Sequence, residues 1–310
     1  MASQKYRLVT RSDFDGLICG VLLTRLGVID EIAFAHPKDM QDGKVAITSR
    51  DIITNLPYHP DAYMVLDHHD SEKTRAGTVR PNHVMESDAP SAARVVWKHY
   101  GGHQVFPASM DEMMAAVDAG DSAQYSIDDI LEPRGWVLLN FLMDSRTGLG
   151  RFREFRVSNY QLMMDLITYC AEHSIDEILA LPDVRERIEL YHEHAARARE
   201  QILRCSRQHG NLVVLDTRAE TTTWAVNRFM VYALFPSANI SIHVLWGQQQ
   251  QVTVFATGKS IIDRSSKTHV GNLMLEFGGG GHQAAGTCQV PNERAEQVLQ
   301  TLIARINADG

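Results

Sequence analysis

The sequence predicts an α/β protein of two domains, the first built on a doubly wound, mostly parallel sheet. Three observations carry this. Short apolar runs alternate with helical patterns through the first half, as in chained βαβ units. A long charged helical stretch follows in the middle, and strands return after Gly210 with a glycine-rich loop and a terminal helix. A length of 310 residues suits two domains. The expected boundaries are 1–182 for the first domain, 183–209 for a connector helix and 210–310 for a smaller α/β domain, with the site in the cleft.

Taken in order, "YRLVT" reads as a buried strand, "RSDFDG" as a polar loop and "LICGVLLTRLG" as a helix closed by Gly27. "EIAFAH", "KVAIT" and "AYMVLDHH" are the next expected strands. "SDAPSAARVVWKHYGG" carries cap candidates, Pro90 near a first turn and a glycine stop, the punctuation of a helix. From Met110 to Thr168 the pattern is mainly helical. "DVRERIELYHEHAARAREQILRCSRQ" predicts an exposed, charged connector helix, with His192 and His194 in solvent. "NLVVLDT", "ANISIHVLW" and "QVTVFAT" are strands of the second domain, "WAVNRFMVYALF" a helix between them and "ERAEQVLQTLIARI" the last helix. Trp97, Trp136, Trp224 and Trp246 are expected in cores.

Composition narrows the function. The chain is 44% hydrophobic and 22% charged, ordinary for a globular protein with a full core. Its formal net charge of −8 argues against a sequence-independent grip on long nucleic acid, yet leaves room for a short phosphorylated substrate. The four cysteines lie far apart with no CxxC pair, as reduced thiols do. The N-terminus has no apolar signal core and no run approaches a membrane span of roughly 18 residues. The cytoplasm is the expected compartment, with no membrane partner.

Two stretches stand out at the carboxyl ends of expected strands, where open α/β sheets gather ligands. In "SDFDG", Asp13 and Asp15 repel each other unless a cation lies between them, although Asp is also favoured as a helix cap. In "VLDHHDS", Asp67, His68, His69 and Asp70 stand in a row. Imidazole added to carboxylates favours Mn²⁺ or a similar ion. One histidine can ligate while the other donates to phosphate and a carboxylate orients it.

"SDFDG", "VLDHHDS" and "FGGGGHQAAGT", in that order, resemble the DHH phosphoesterase superfamily with its C-terminal DHH-associated domain. The resemblance implies metal ligation by Asp13, Asp15 and His68, phosphate contact by His69 and a supporting place for Asp67. It implies a bridging aspartate, best matched by Asp51 in "VAITSRDI". A fourth-motif aspartate falls at Asp118 or Asp121 in "MAAVDAGDSAQ", with Asp118 slightly favoured. A histidine usual in the first motif is missing, and Arg11 stands nearby; arginine stays protonated and cannot ligate, so His36 could substitute, or Arg11 could meet substrate phosphate. In "FGGGGHQAAGT", Gly279, Gly280 and Gly281 let backbone N–H groups approach an anion, His282 can donate to it, and Arg264 is the candidate phosphate clamp.

The resemblance implies a metal-dependent phosphodiesterase that hydrolyses short linear dinucleotides such as pGpG, or nanoRNA, to mononucleotides with metal-activated water. Two Mn²⁺ ions are expected, Mg²⁺ or Co²⁺ being the alternatives. A homodimer is compatible with it. The other functional readings are an exopolyphosphatase or pyrophosphatase, a 3′-phosphoadenosine 5′-phosphate phosphatase, and a non-catalytic nucleotide sensor.

Overall fold

The computed structural model describes residues 4–69, 80–152 and 154–310. By its contacts the chain divides into two compact units, Met1–Gln124 with Pro133–Glu189, and Tyr125–Glu132 with Leu190–Gly310. The division falls inside the long helix Pro182–Cys205 instead of at its ends.

In the first unit, strands β1 (Tyr6–Arg11), β2 (Ile29–Ala35), β3 (Asp51–Thr54), β4 (Met64–Asp67) and β5 (His83–Met85) form one sheet in the order β2-β1-β3-β4-β5. Every neighbouring pair is parallel. Leu8, Val9, Ile52, Ile53, Val65 and Leu66 are fully buried, which explains why the strands read as unbroken apolar runs. The strand order reverses between β1 and β3, so the crevice for ligands opens beyond Arg11 and Thr54.

Helix α1 (Phe14–Arg25) starts at that crevice because Asp13 caps it, its Oδ1 accepting from Gly16 N at 3.0 Å. Gly16 is required here: a Cβ would lie 2.0 Å from the carbonyl oxygen of Arg11. "KVAIT" is not a strand. Val45 and Ile47 pack against Ile53 and Val65 from a loop, and the strand begins only at Asp51. The helix Ala92–His99 follows Pro90 and is capped by Ser91, whose Oγ accepts from Arg94 N.

The long helix is not solvent-exposed all round. Val184, Arg187, Tyr191, His194, Ala198 and Ile202 are buried at the spacing of one helix face. His192 is exposed, while His194 accepts a backbone hydrogen bond from Ala225. In the second unit β6 (Ser206–His209), β7 (Leu212–Asp216), β8 (Ile240–Trp246), β9 (Val252–Lys259), β10 (Gly280–Gly281) and β11 (Ala285–Pro291) form a mixed sheet in the order β10-β11-β9-β8-β7-β6. Its core joins Ile240, Ile242 and Phe255 to Leu302 and Ile306 of the terminal helix Ala295–Asp309. "WAVNRFMVYALF" yields only the short helix Met230–Leu234, and Asn227 before it donates its amide to Ile130 O and Tyr191 Oη. Of the four tryptophans only Trp97 is fully in a core; Trp246 is 38% exposed. No helix among the described residues is long and apolar enough to cross a membrane.

Candidate metal centre

Three strand ends and one helix end meet at the crevice of the first unit. Asp15, in the first turn of α1, is 2% exposed. Its two oxygens accept from Ala92 N at 2.9 Å and Ala93 N at 2.8 Å, so it also caps the helix Ala92–His99. His68 follows β4. Its Nδ1 donates to the carbonyl oxygen of Ala89 at 3.1 Å, which turns Nε2 inward. Nε2 lies 3.0 Å from Asp121 Oδ2 and 3.9 Å from Asp15 Oδ2. It has no aligned hydrogen-bond partner among the described residues. Asp121 ends the helix Asp111–Asp121.

The electrostatics follow from crowding. Burial, then the neighbouring charge of Asp121, lifts the Asp15 carboxyl to about 8. Burial opposes the protonation of His68, but Asp121 and Asp15 outweigh it and raise the imidazole to about 9. Burial also pushes Asp13 up, against the opposing pull of Arg11. His69 stands beside the group. Its Nδ1 is 2.7 Å from Asp67 Oδ1, and although burial opposes its charge, Asp67 raises its pKa. Asp67 is 1% exposed and thus orients His69 from beneath. Asp70 lies outside the described residues.

Two expectations about the acids need correction. Asp51 does not reach the crevice. It begins β3, opposite Arg7 in the register of β1, and holds Arg7 through Oδ1–Nε at 2.6 Å and Oδ2–Nη2 at 2.9 Å. Thr48 N donates to it as well. Three strand steps, about 10 Å, separate it from the carboxyl end of the strand. Asp118 is also spoken for: Ser91 Oγ donates to it at 2.7 Å, and Arg94 grips its other oxygen with Nε at 2.8 Å. Asp121, not Asp118, is the acid beside His68. His36 is a helix cap, its Nδ1 accepting from Lys38 N.

Sequence reading missed Asn55 and Arg146. Asn55 follows β3 in a left-handed conformation, φ +55°, and donates from Nδ2 to Asp13 Oδ1 at 2.9 Å. It is 2% exposed and its Oδ1 has no partner among the described residues. The signal was the polar residue closing "DIIT". Arg146 binds Asp144 and lies near enough to Asp13 to lower its pKa.

In the second unit, the glycine run ends in the short strand β10 and packs against β11 instead of forming an open cradle. A Cβ on Gly279 would lie 2.1 Å from Thr287 O, and one on Gly281 2.3 Å from Ala285 O. Only Gly280 of the three faces open space. The helix Val270–Leu275 docks here, with Gly271 N donating to His282 O at 2.8 Å. His282 is exposed, as is Arg264, whose Nε donates to Ile261 O.

No model of a protein family and no curated protein matches the chain. Among solved structures it is similar to a pGpG-specific phosphodiesterase, PggH, from Vibrio cholerae, at 61% identity, 99% of this chain, 100% of that chain and a TM-score of 0.90. The chain belongs to the DHH phosphoesterase superfamily. It is a phosphoester hydrolase of two α/β domains. The fold is shared with RecJ of Thermus thermophilus, solved in complex with Mn²⁺, at 14% identity, 98% of this chain, 52% of that chain and a TM-score of 0.53.

A superfamily member implies a divalent cation, and the residues fit one. Asp15, His68 and Asp121 each offer a donor atom, all within 4.8 Å of one another. The buried Nε2, fixed from its far side by Ala89, completes a mixed oxygen and nitrogen donor set for a divalent cation.

Proposed function

We propose that the chain hydrolyses pGpG, or a linear dinucleotide like it, to two mononucleotides, using a divalent cation held by Asp15, His68 and Asp121. The full-length likeness at 61% identity to a pGpG-specific phosphodiesterase carries this reading. Mn²⁺ is the preferred ion on the chemistry of the donor set. When bound, such an ion stabilises charge on the phosphoryl oxygens and acidifies water near neutral pH.

The chain's own groups have distinct tasks. Asp67 holds Nδ1 of His69, leaving Nε2 free to donate to a non-bridging phosphoryl oxygen. Asp67 raises the pKa of His69 and so favours that proton. Arg11 and Arg146 supply positive charge beside Asp13 for the same phosphate. A water oxygen forms the new P–O bond, the bond to the 3′ oxygen breaks, and the leaving oxygen takes a proton. No cysteine is needed as nucleophile, and burial raises the thiols of Cys19, Cys170 and Cys288 out of reach of ionisation. In the second unit, His282 and Arg264 are proposed to bind phosphate. Four unpaired cysteines favour the cytoplasm as the place of work.

The test is a substrate panel with Mn²⁺, with and without EDTA: pGpG, pyrophosphate, polyphosphate and 3′-phosphoadenosine 5′-phosphate. GMP release from pGpG that EDTA abolishes is expected. Turnover confined to pyrophosphate or polyphosphate would overturn the reading, and binding of pGpG without turnover would make the chain a sensor.

A further inference from the structure

The first motif of the superfamily offers Asp13 to a cation, but in this chain an arginine already neutralises its carboxylate. Oδ1 accepts from Gly16 N at 3.0 Å and from Asn55 Nδ2 at 2.9 Å. Oδ2 faces the guanidinium of Arg11, with Nε at 3.0 Å. Hydrogen bonding alone does not set Asp13 apart, since Asp15 also accepts through both oxygens; what does is that the formal charge of Asp13 is matched by Arg11 within the chain. The neighbour that could share an ion with Asp13 is Asn55, a neutral amide whose donating end is turned toward it. Its remaining oxygen is a single uncharged donor, too weak to recruit a divalent ion alone.

The rest of the crevice offers no other complete set among the described residues. Asp15, His68 and Asp121 make one cluster. Asp67, His68 and His69 make another, but it shares His68, and its other two members are spent on each other at 2.7 Å.

We infer that this chain binds one divalent cation per active site, and that Arg11 takes the place of a second as a built-in positive charge. The guanidinium differs from an ion in two ways. It stays with the apoprotein, and it presents planar N–H donors to a phosphoryl oxygen instead of an open coordination position. Arg11 is 40% exposed, so part of its fork remains free to do so while Nε holds Asp13. The count of two ions expected from sequence is therefore replaced by one. The inference rests on the reading of Asp15, His68 and Asp121 as the metal site, and the experiment separates the two.

Purified full-length chain is equilibrated with Mn²⁺, desalted, and its metal counted by plasma mass spectrometry, with titration calorimetry as an independent stoichiometry. One ion per chain is expected, falling to none in Asp121→Asn. Two ions in the native chain overturn the inference while leaving the phosphodiesterase reading intact. No ion at saturating Mn²⁺ overturns both. In the double variant R11H/N55D, which exchanges the guanidinium for a ligand and the amide for a carboxylate, the count is expected to rise to two. A count still at one, in a variant that melts cooperatively, would show that Arg11 and Asn55 are not what excludes the second ion.

Discussion

The DHH stretch and the glycine run are equally conspicuous in sequence, but they differ in how much of their chemistry the fold itself accounts for. At the crevice of the first unit, Asp15 and Asp67 are buried ionisable groups and His68 is a partly buried one. Asp67 Oδ2 and His68 Nε2 make no aligned hydrogen bond among the described residues, although Nε2 faces Asp121. Buried polar atoms left this way are costly, and such groups mark function. Along the glycine run the reverse holds. Gly279 and Gly281 are glycines because backbone oxygens of β11 leave no room for a Cβ. A motif can thus be chemical in one domain and largely steric in the other.

The largest expected effect comes from attacking the first region. His68→Ala should cut Mn²⁺-dependent turnover roughly a thousandfold, about 4 kcal/mol of barrier, while leaving the melting temperature within a few degrees. Unchanged kcat in a folded variant would break the comparison from that side.

The second region should fail by instability. Gly279→Ala must displace the Thr287 carbonyl, and overpacking of this kind costs about 1–3 kcal/mol in denaturant unfolding. Gly280→Ala, with open space around its Cβ, should stay within about 0.5 kcal/mol of the native chain. Equal losses at both positions would show that the run is not held by sheet packing. If His282 does meet substrate, His282→Ala should raise KM for pGpG about tenfold, the worth of one lost hydrogen bond at about 1.4 kcal/mol, with kcat little changed.

A smaller effect concerns pH. Burial lowers the partly covered His243 on β8 to about 4, so the folded chain keeps it neutral where the unfolded chain, with an ordinary value of about 6.5, takes up a proton. Its contribution to stability is complete above about 6.5 and is lost as pH falls toward about 4. His243→Gln should therefore flatten the fall in unfolding free energy across that window. An unchanged slope would assign the acid sensitivity elsewhere.

How much of this was legible depended on what each residue needed for its place. Asp13, Asp15, Asp67, His68 and His69 lie at or just beyond strand ends, so their position at the sheet's carboxyl end can be read from one local pattern. Asn55 and Asp51 could not be read so. "KVAIT" has the β-branched look of a strand, and taking it for one puts Asp51 at a strand end and hides Asn55 beyond it. Tertiary packing decides otherwise: Val45 and Ile47 fill the core from a loop, and Arg7 holds Asp51 at the start of β3. Asp118 and Asp121 lie three residues apart, about 300° of helical turn, so which one faces His68 depends on how the helix is rotated. Arg94 settles that by taking Asp118. The buried stripe of the long helix was present in its spacing, but its high charge masked it.

The claim on which the account turns is that Asp121 belongs to the catalytic centre and Asp51 to the scaffold. GMP release from pGpG with saturating Mn²⁺ should be compared in Asp121→Asn and Asp51→Asn, each checked for folding. The account predicts that Asp121→Asn loses nearly all turnover, while Asp51→Asn is less stable but turns over like the native chain. Full turnover in Asp121→Asn, or its loss in a well-folded Asp51→Asn, would contradict it.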